Sequence, residues 1–123
     1  MRRDMELIRE LLLVLEEAAQ PVTDEVAIEG HSRGEVAYHL TLIIEAGYAQ
    51  GRVMHDHSGA NTTVPRAVVV LRLTNQGHDL IESIRDVSVW SKVRTKLATV
   101  GGGATLDTIK LIAVAVAKQH LGL

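Results

Sequence analysis

His55-Asp56-His57 is the segment of this chain in which two imidazoles stand two residues apart. On an extended strand such side chains share a face, so both rings could point at one metal ion. Two ligands at a loop tip do not complete a tetrahedral shell, and the sequence holds no cysteine to finish one. The segment is therefore expected to be a polar turn tip, with no metal and no cofactor. His31, His39, His78 and His120 show no carboxylate partner at a fixed spacing, so none is expected to act as a general base. Residues 101–105, GGGAT, lack the Lys-Ser/Thr ending of a phosphate loop and follow no strand, so they are expected to form a connector. Ser83, Ser88 and Ser91 have no strand–turn–helix setting that would expose a nucleophile. No catalytic residue is expected, and the chain is read as not an enzyme.

The chemistry that remains is recognition. His31 to Met54, HSRGEVAYHLTLIIEAGYAQGRVM, has the outline of a capped helix running into a β-hairpin. Ser32 and Glu35 have capping-box spacing, the hydroxyl accepting from one backbone amide and the carboxylate from the other. At about 100° per residue, Val36, Leu40, Ile43, Ile44 and Gly47 share one side, expected to pack on the N-terminal helix. The opposite side carries Gly34, Tyr38, Thr41 and Glu45, with Glu35 and Leu42 on its edge; His39 lies at the other edge of the apolar stripe.

A nucleic-acid interface would draw on Arg33, Tyr38, His39 and Thr41, joined by Arg52 and Arg66 from the hairpin and by Arg2 and Arg3 on phosphate. A major-groove helix ordinarily offers Arg, Lys, Asn or Gln to base edges. Here Arg33 is the helix's one cation, so DNA binding depends on the hairpin and on dimerisation. Tyr38 and Leu42 suit a protein partner as well, since exposed aromatic and apolar groups serve as anchors.

Helical periodicity surrounds this segment. Asp4 is placed to cap a first helix with two apolar stripes, Met5-Ile8-Leu12-Leu15 and Leu7-Leu11-Val14, which ends at Gln20-Pro21. A short strand is expected around Val26 and Ile28, then a helix from Arg33 to Ala46 closed by Gly47. Two β-branched runs on either side of HSGANTTV form the hairpin. Thr74 caps the next helix, and Val89, Trp90, Val93 and Leu97 line the one after it, with Lys92 and Lys96 on a solvated face. The last helix has one stripe of Leu106, Ile109, Ile112 and Val116 and another of Leu111, Val114 and Ala115. Burying both requires a second surface. A homodimer is expected, with Ile109, Ile112 and Val116 as interface candidates beside Tyr38 and Leu42, and with the second stripe of the first helix joining them.

The blocks MRRDMELIRELLLVLEE, IEGHSRGEVAYHLTLIIEAGY, LRLTNQGHDLIESIRD, VWSKVRTKL and LDTIKLIAVAVAKQHL resemble the domain of unknown function 2513 family, small proteins of bacteria, phages and prophages. That resemblance covers essentially the whole chain and implies a winged-helix-like fold. It implies no activity and no catalytic residues. Residues 32–73 are also similar, more weakly, to winged-helix regulators of the MarR and ArsR families.

Composition bounds the rest. With 123 residues, 46% hydrophobic, 2% aromatic and no Phe, the core is expected to be aliphatic, and no base-stacking platform is expected. The net charge is −2, with four basic against ten acidic side chains in residues 1–46 and nine against five in residues 47–123. No apolar run approaches the roughly 20 residues that span a bilayer. MRRDMELIRE places acids where a signal peptide needs an apolar stretch, and a cytoplasmic location without membrane contact is expected. The expected fold is α+β and mainly helical: a winged helix-turn-helix core over residues 1–86 with a C-terminal helical extension over residues 87–123. The expected function is a phage- or prophage-type regulator binding double-stranded DNA, with a protein-interaction module on the same scaffold as the alternative.

Overall fold

Asp4 starts the first element. Its carboxylate accepts from the amides of Glu6 (2.9 Å) and Leu7 (3.2 Å), donors that the first turn of a helix leaves unpaired. Helix α1 (Met5–Glu17) follows, burying Leu7, Ile8, Leu11, Leu12 and Leu15. The computed structural model describes residues 1–58, 63–100, 105–120 and 122, an α+β fold of five helices and one three-stranded antiparallel sheet among those residues. It divides into two compact units, Met1–His78 and Asp79–Leu123.

Strand β1 (Val22–Thr23) pairs with β3 (Ala67–Leu73), Val22 opposite Val70 and Thr23 opposite Val69. The strand expected around Val26 and Ile28 is not there. Thr23 ends the ladder: its hydroxyl accepts from Glu25 N (3.3 Å) and its carbonyl from Val26 N (3.1 Å). These local bonds turn the chain before Val26 can pair. Helix α1 also stops at Glu17, with Ala18 already extended, so that the chain can reach β1.

Helix α2 (Arg33–Glu45) carries the expected capping box on Ser32 and Glu35, and Gly47 takes the left-handed conformation (φ +85°) that ends it. Strand β2 (Ala49–Met54) then forms the hairpin with β3, giving the order β1-β3-β2. Gln50 opposes Arg72 and Gly51 opposes Val70, so Leu71 is the extra residue of a bulge and is exposed. Val68, Val70 and Leu73 point inward from β3, and α1 and α2 both pack on that strand. Both stripes of α1 thus end inside this unit. Leu7 and Leu11, expected to await a second subunit, are fully buried, and Met5 and Val14 keep partial exposure.

His39 ties the two helices together. Its Nε2 accepts from Asp4 N (2.8 Å), and its Nδ1 donates to Glu35 O (2.7 Å). An amide only donates and a carbonyl only accepts, so the ring must be the neutral tautomer protonated at Nδ1. Burial lowers its pKa below the ordinary 6.5, outweighing the Glu35 bond and the Asp4 charge, which raise it.

Helix α3 (Asn75–Ile84) begins on the turn before β2. Thr74 N donates to Tyr48 O (3.0 Å), Thr74 Oγ1 donates to Gly47 O (2.6 Å), and the same oxygen accepts from Gly77 N (3.1 Å). A Cβ on Gly77 would run into the Tyr48 carbonyl, so only glycine lets the helix start this close. In the second unit Asp86 caps α4 (Val87–Val100) by accepting from Ser88 N (2.8 Å) and Val89 N (3.1 Å). Helix α4 packs on α5 (Leu106–His120). Val89, Trp90 and Val93 of α4 and Leu106, Ile109, Ala113 and Val116 of α5 are buried. The GGG connector expected at residues 101–103 lies outside the described residues.

Gly77→Ala is expected to destabilise the protein by about 1–3 kcal/mol, read as a lower urea midpoint, because backbone rather than a flexible side chain must give way. His39 gives a pH dependence. As pH falls through 6.5 the unfolded chain takes up the proton first, so this contact's stabilisation is whole above that value and is lost below it. Urea midpoints measured from about pH 7 to about pH 5 should fall more steeply for the natural protein than for His39→Gln.

Candidate functional site

Arg33, the one cation of α2, does not stand free. Its Nη1 donates to Asp24 Oδ2 and to the backbone carbonyl of Arg66 (3.3 Å). Asp24 is 5% exposed, and its other oxygen accepts from Val68 N (2.8 Å) while its own amide donates to Val68 O (3.1 Å). Burial opposes ionisation of this carboxyl, but the Val68 amide and the Arg33 guanidinium favour the charged form and together hold it below the ordinary 3.8. One carboxylate therefore joins the end of β1, the first turn of α2 and the start of β3. The Arg33 side chain remains 46% exposed, but much of its charge is spent on Asp24.

The face of α2 expected to point outward is narrower than helical periodicity suggests. Thr41 is buried, its hydroxyl donating to Ala37 O (2.8 Å), and His39 is 1% exposed. Neither has a free polar group to offer a nucleic acid. A Cβ on Gly34 would touch Val64 (3.5 Å), so the return arm of the hairpin lies over the first turn. What stays open is a strip of Glu35, Tyr38, Leu42 and Glu45, the first three partly exposed and Glu45 exposed. The Tyr38 ring meets the His39 ring edge-on at 5.4 Å. Glu35 does have a histidine partner: His31 Nδ1 lies 3.1 Å from Glu35 Oε2, one helical turn away. The i,i+4 spacing of this pair was visible in the sequence. The His31 bond, then the Ser32 amide, lowers the Glu35 pKa, so the strip is acidic at neutral pH.

The hairpin keeps its cations in solvent. Arg52 and Arg66 are both exposed, as are Met54, His55 and His57. Arg52 sits opposite Val69, on the sheet face away from the buried Val68 and Val70. Asp56 is turned to Ser58, accepting from its hydroxyl (2.7 Å) and amide (2.9 Å), which lower its pKa. The carboxylate thus serves a local turn rather than a site between the two imidazoles. Residues 59–62 of the tip lie outside the described residues, and no group of three or more metal-capable side chains occurs among those described. Of the protein-interface candidates, Tyr38 and Leu42 are partly exposed and Ile112 half-buried, while Ile109 and Val116 are buried within their own chain and cannot form an interface.

Asp24 carries more of the fold than any cation it serves. Asp24→Ala should cost about 2–3 kcal/mol in urea denaturation, since it strands the Val68 amide. Arg33→Ala should cost clearly less than Asp24→Ala, because the half-exposed guanidinium adds little while water can reach it. Equal losses would contradict the assignment of Asp24 as the anchor.

No described helix is long and apolar enough to cross a membrane. An uncharacterised protein of Haemophilus influenzae is 30% identical to this chain over 123 residues, covering 98% of this chain and 99% of that protein. No solved structure matches the chain. Residues 2–104 match the profile described as hypothetical protein DUF2513, and the chain belongs to that family.

Proposed function

We propose that Met1–His78 is a winged-helix module that recognises a protein through the open strip of α2 and the adjoining hairpin. The order helix, strand, helix, hairpin, with the sheet arranged β1-β3-β2, supports the winged-helix reading. Turns and irregular chain over residues 24–31 stand where a second helix would usually precede α2. The observation that carries the functional reading is the charge of the strip. Glu35 and Glu45 flank Tyr38 and Leu42, and the helix's one cation is paired with Asp24. Phosphate meets repulsion on that face, whereas an apolar anchor beside a basic group on a protein partner meets complementarity.

Double-stranded DNA is the second reading, favoured by the exposed Arg52 and Arg66 on the hairpin. A cytoplasmic, phage- or prophage-type regulator acting as a homodimer accords with either. Neither reading makes the protein an enzyme.

Anisotropy titrations with duplex DNA at physiological salt should give affinities no tighter than non-specific binding, about 10⁻⁴ to 10⁻⁶ M. A photo-crosslinking residue in place of Tyr38 should capture one discrete protein partner in cells, and Glu45→Lys should abolish the capture. Tight, steeply salt-dependent DNA binding that disappears in Arg52→Ala and Arg66→Ala would instead establish the hairpin as a DNA contact and overturn the protein reading.

A further inference from the structure

Helix α5 is apolar on two faces, and its own unit uses one. Leu106, Ile109, Ala113 and Val116 are buried, while Leu111 is 73% exposed and Val114 38%. Asp107 and Lys118 are exposed as well. Asp107, Leu111, Val114 and Lys118 follow one another at intervals of four, three and four residues. They fall within about 60° of arc, opposite the buried side. This is the spacing of a coiled-coil seam, with an acid at its start, two aliphatic residues in its middle and a base at its end.

We propose that this seam binds the same seam of a second copy, with the two α5 helices antiparallel. The two-fold axis passes between Ile112 and Ala113, the midpoint both of Asp107 and Lys118 and of Leu111 and Val114. A two-fold interface brings each residue against its mirror position. Leu111 then meets the partner's Val114, and Asp107 meets the partner's Lys118, each contact made twice. A parallel pair would set Asp107 against the partner's Asp107 and Lys118 against the partner's Lys118, so the charges select the antiparallel arrangement. Ala115, beside the seam and exposed, leaves room for close approach. This surface differs from the Ile109 and Val116 side expected from periodicity, and it is independent of what α2 recognises.

So short a seam buries less than the roughly 1,200 Å² of a long-lived complex, so dissociation is expected at roughly micromolar concentration. Sedimentation velocity should show a monomer–dimer equilibrium. Leu111→Glu should give a monomer with an unchanged helical circular-dichroism spectrum, and Lys118→Glu should weaken association roughly tenfold, since two attractive contacts become repulsive. The chain has no cysteine, so introduced thiols report orientation cleanly. Leu111→Cys mixed with Val114→Cys should oxidise mainly to the mixed disulfide dimer. A monomer up to about 100 µM, roughly a hundredfold above the expected midpoint, would overturn the proposal. So would a dimer indifferent to Leu111→Glu or Lys118→Glu, or Leu111→Cys crosslinking mainly to itself.

Discussion

Asp24 is a carboxylate in a place water barely reaches, and the first unit is arranged around keeping it ionised. A buried charge without partners costs several kcal/mol, so its neighbours are constrained more tightly than any apolar contact would constrain them. The Val68 amide must face one oxygen and the Arg33 guanidinium the other. That requirement sets how the first turn of α2 enters and where β3 starts. Chain between Asp24 and His31 then needs no helix of its own, because both of its ends are already fixed.

The same economy governs α2. A helix of 13 residues that buries Val36, Ala37, His39, Leu40, Thr41 and Ile43 has given more than half of its circumference to the core. The neutral histidine and the threonine are admitted because each meets its hydrogen-bond needs internally, His39 with Asp4 N and Glu35 O and Thr41 with Ala37 O. The remaining surface is a narrow acidic and apolar strip. Its chemistry follows from packing demands on the other faces as much as from the residues it exposes.

Much of the architecture was legible from local chemistry. The Asp4 cap, the Ser32–Glu35 capping box, the left-handed Gly47 and the Thr74 start of α3 all depend on groups within a few residues of one another, and each stands as the sequence implied. The hairpin was equally legible, since β-branched runs around a polar tip specify it without distant help. The Thr23 turn that displaced the strand from Val26 was a local signal too, but it competed with a β-leaning pattern and won through its own hydroxyl.

What the sequence by itself determined is therefore the list of elements and their caps, because those arise from bonds spanning about one helical turn. Tertiary structure alone decided which faces stay open. Asp24 meets Val68 across 44 positions and His39 meets Asp4 across 35. Neither spacing carries a periodic signal, yet these bonds hold Asp24 where it meets the helix cation and keep His39 in the core. On α5 periodicity correctly found two apolar stripes, but only packing against α4 could choose between them. Burial is a property of a neighbour's position, and no neighbour is written into a stripe.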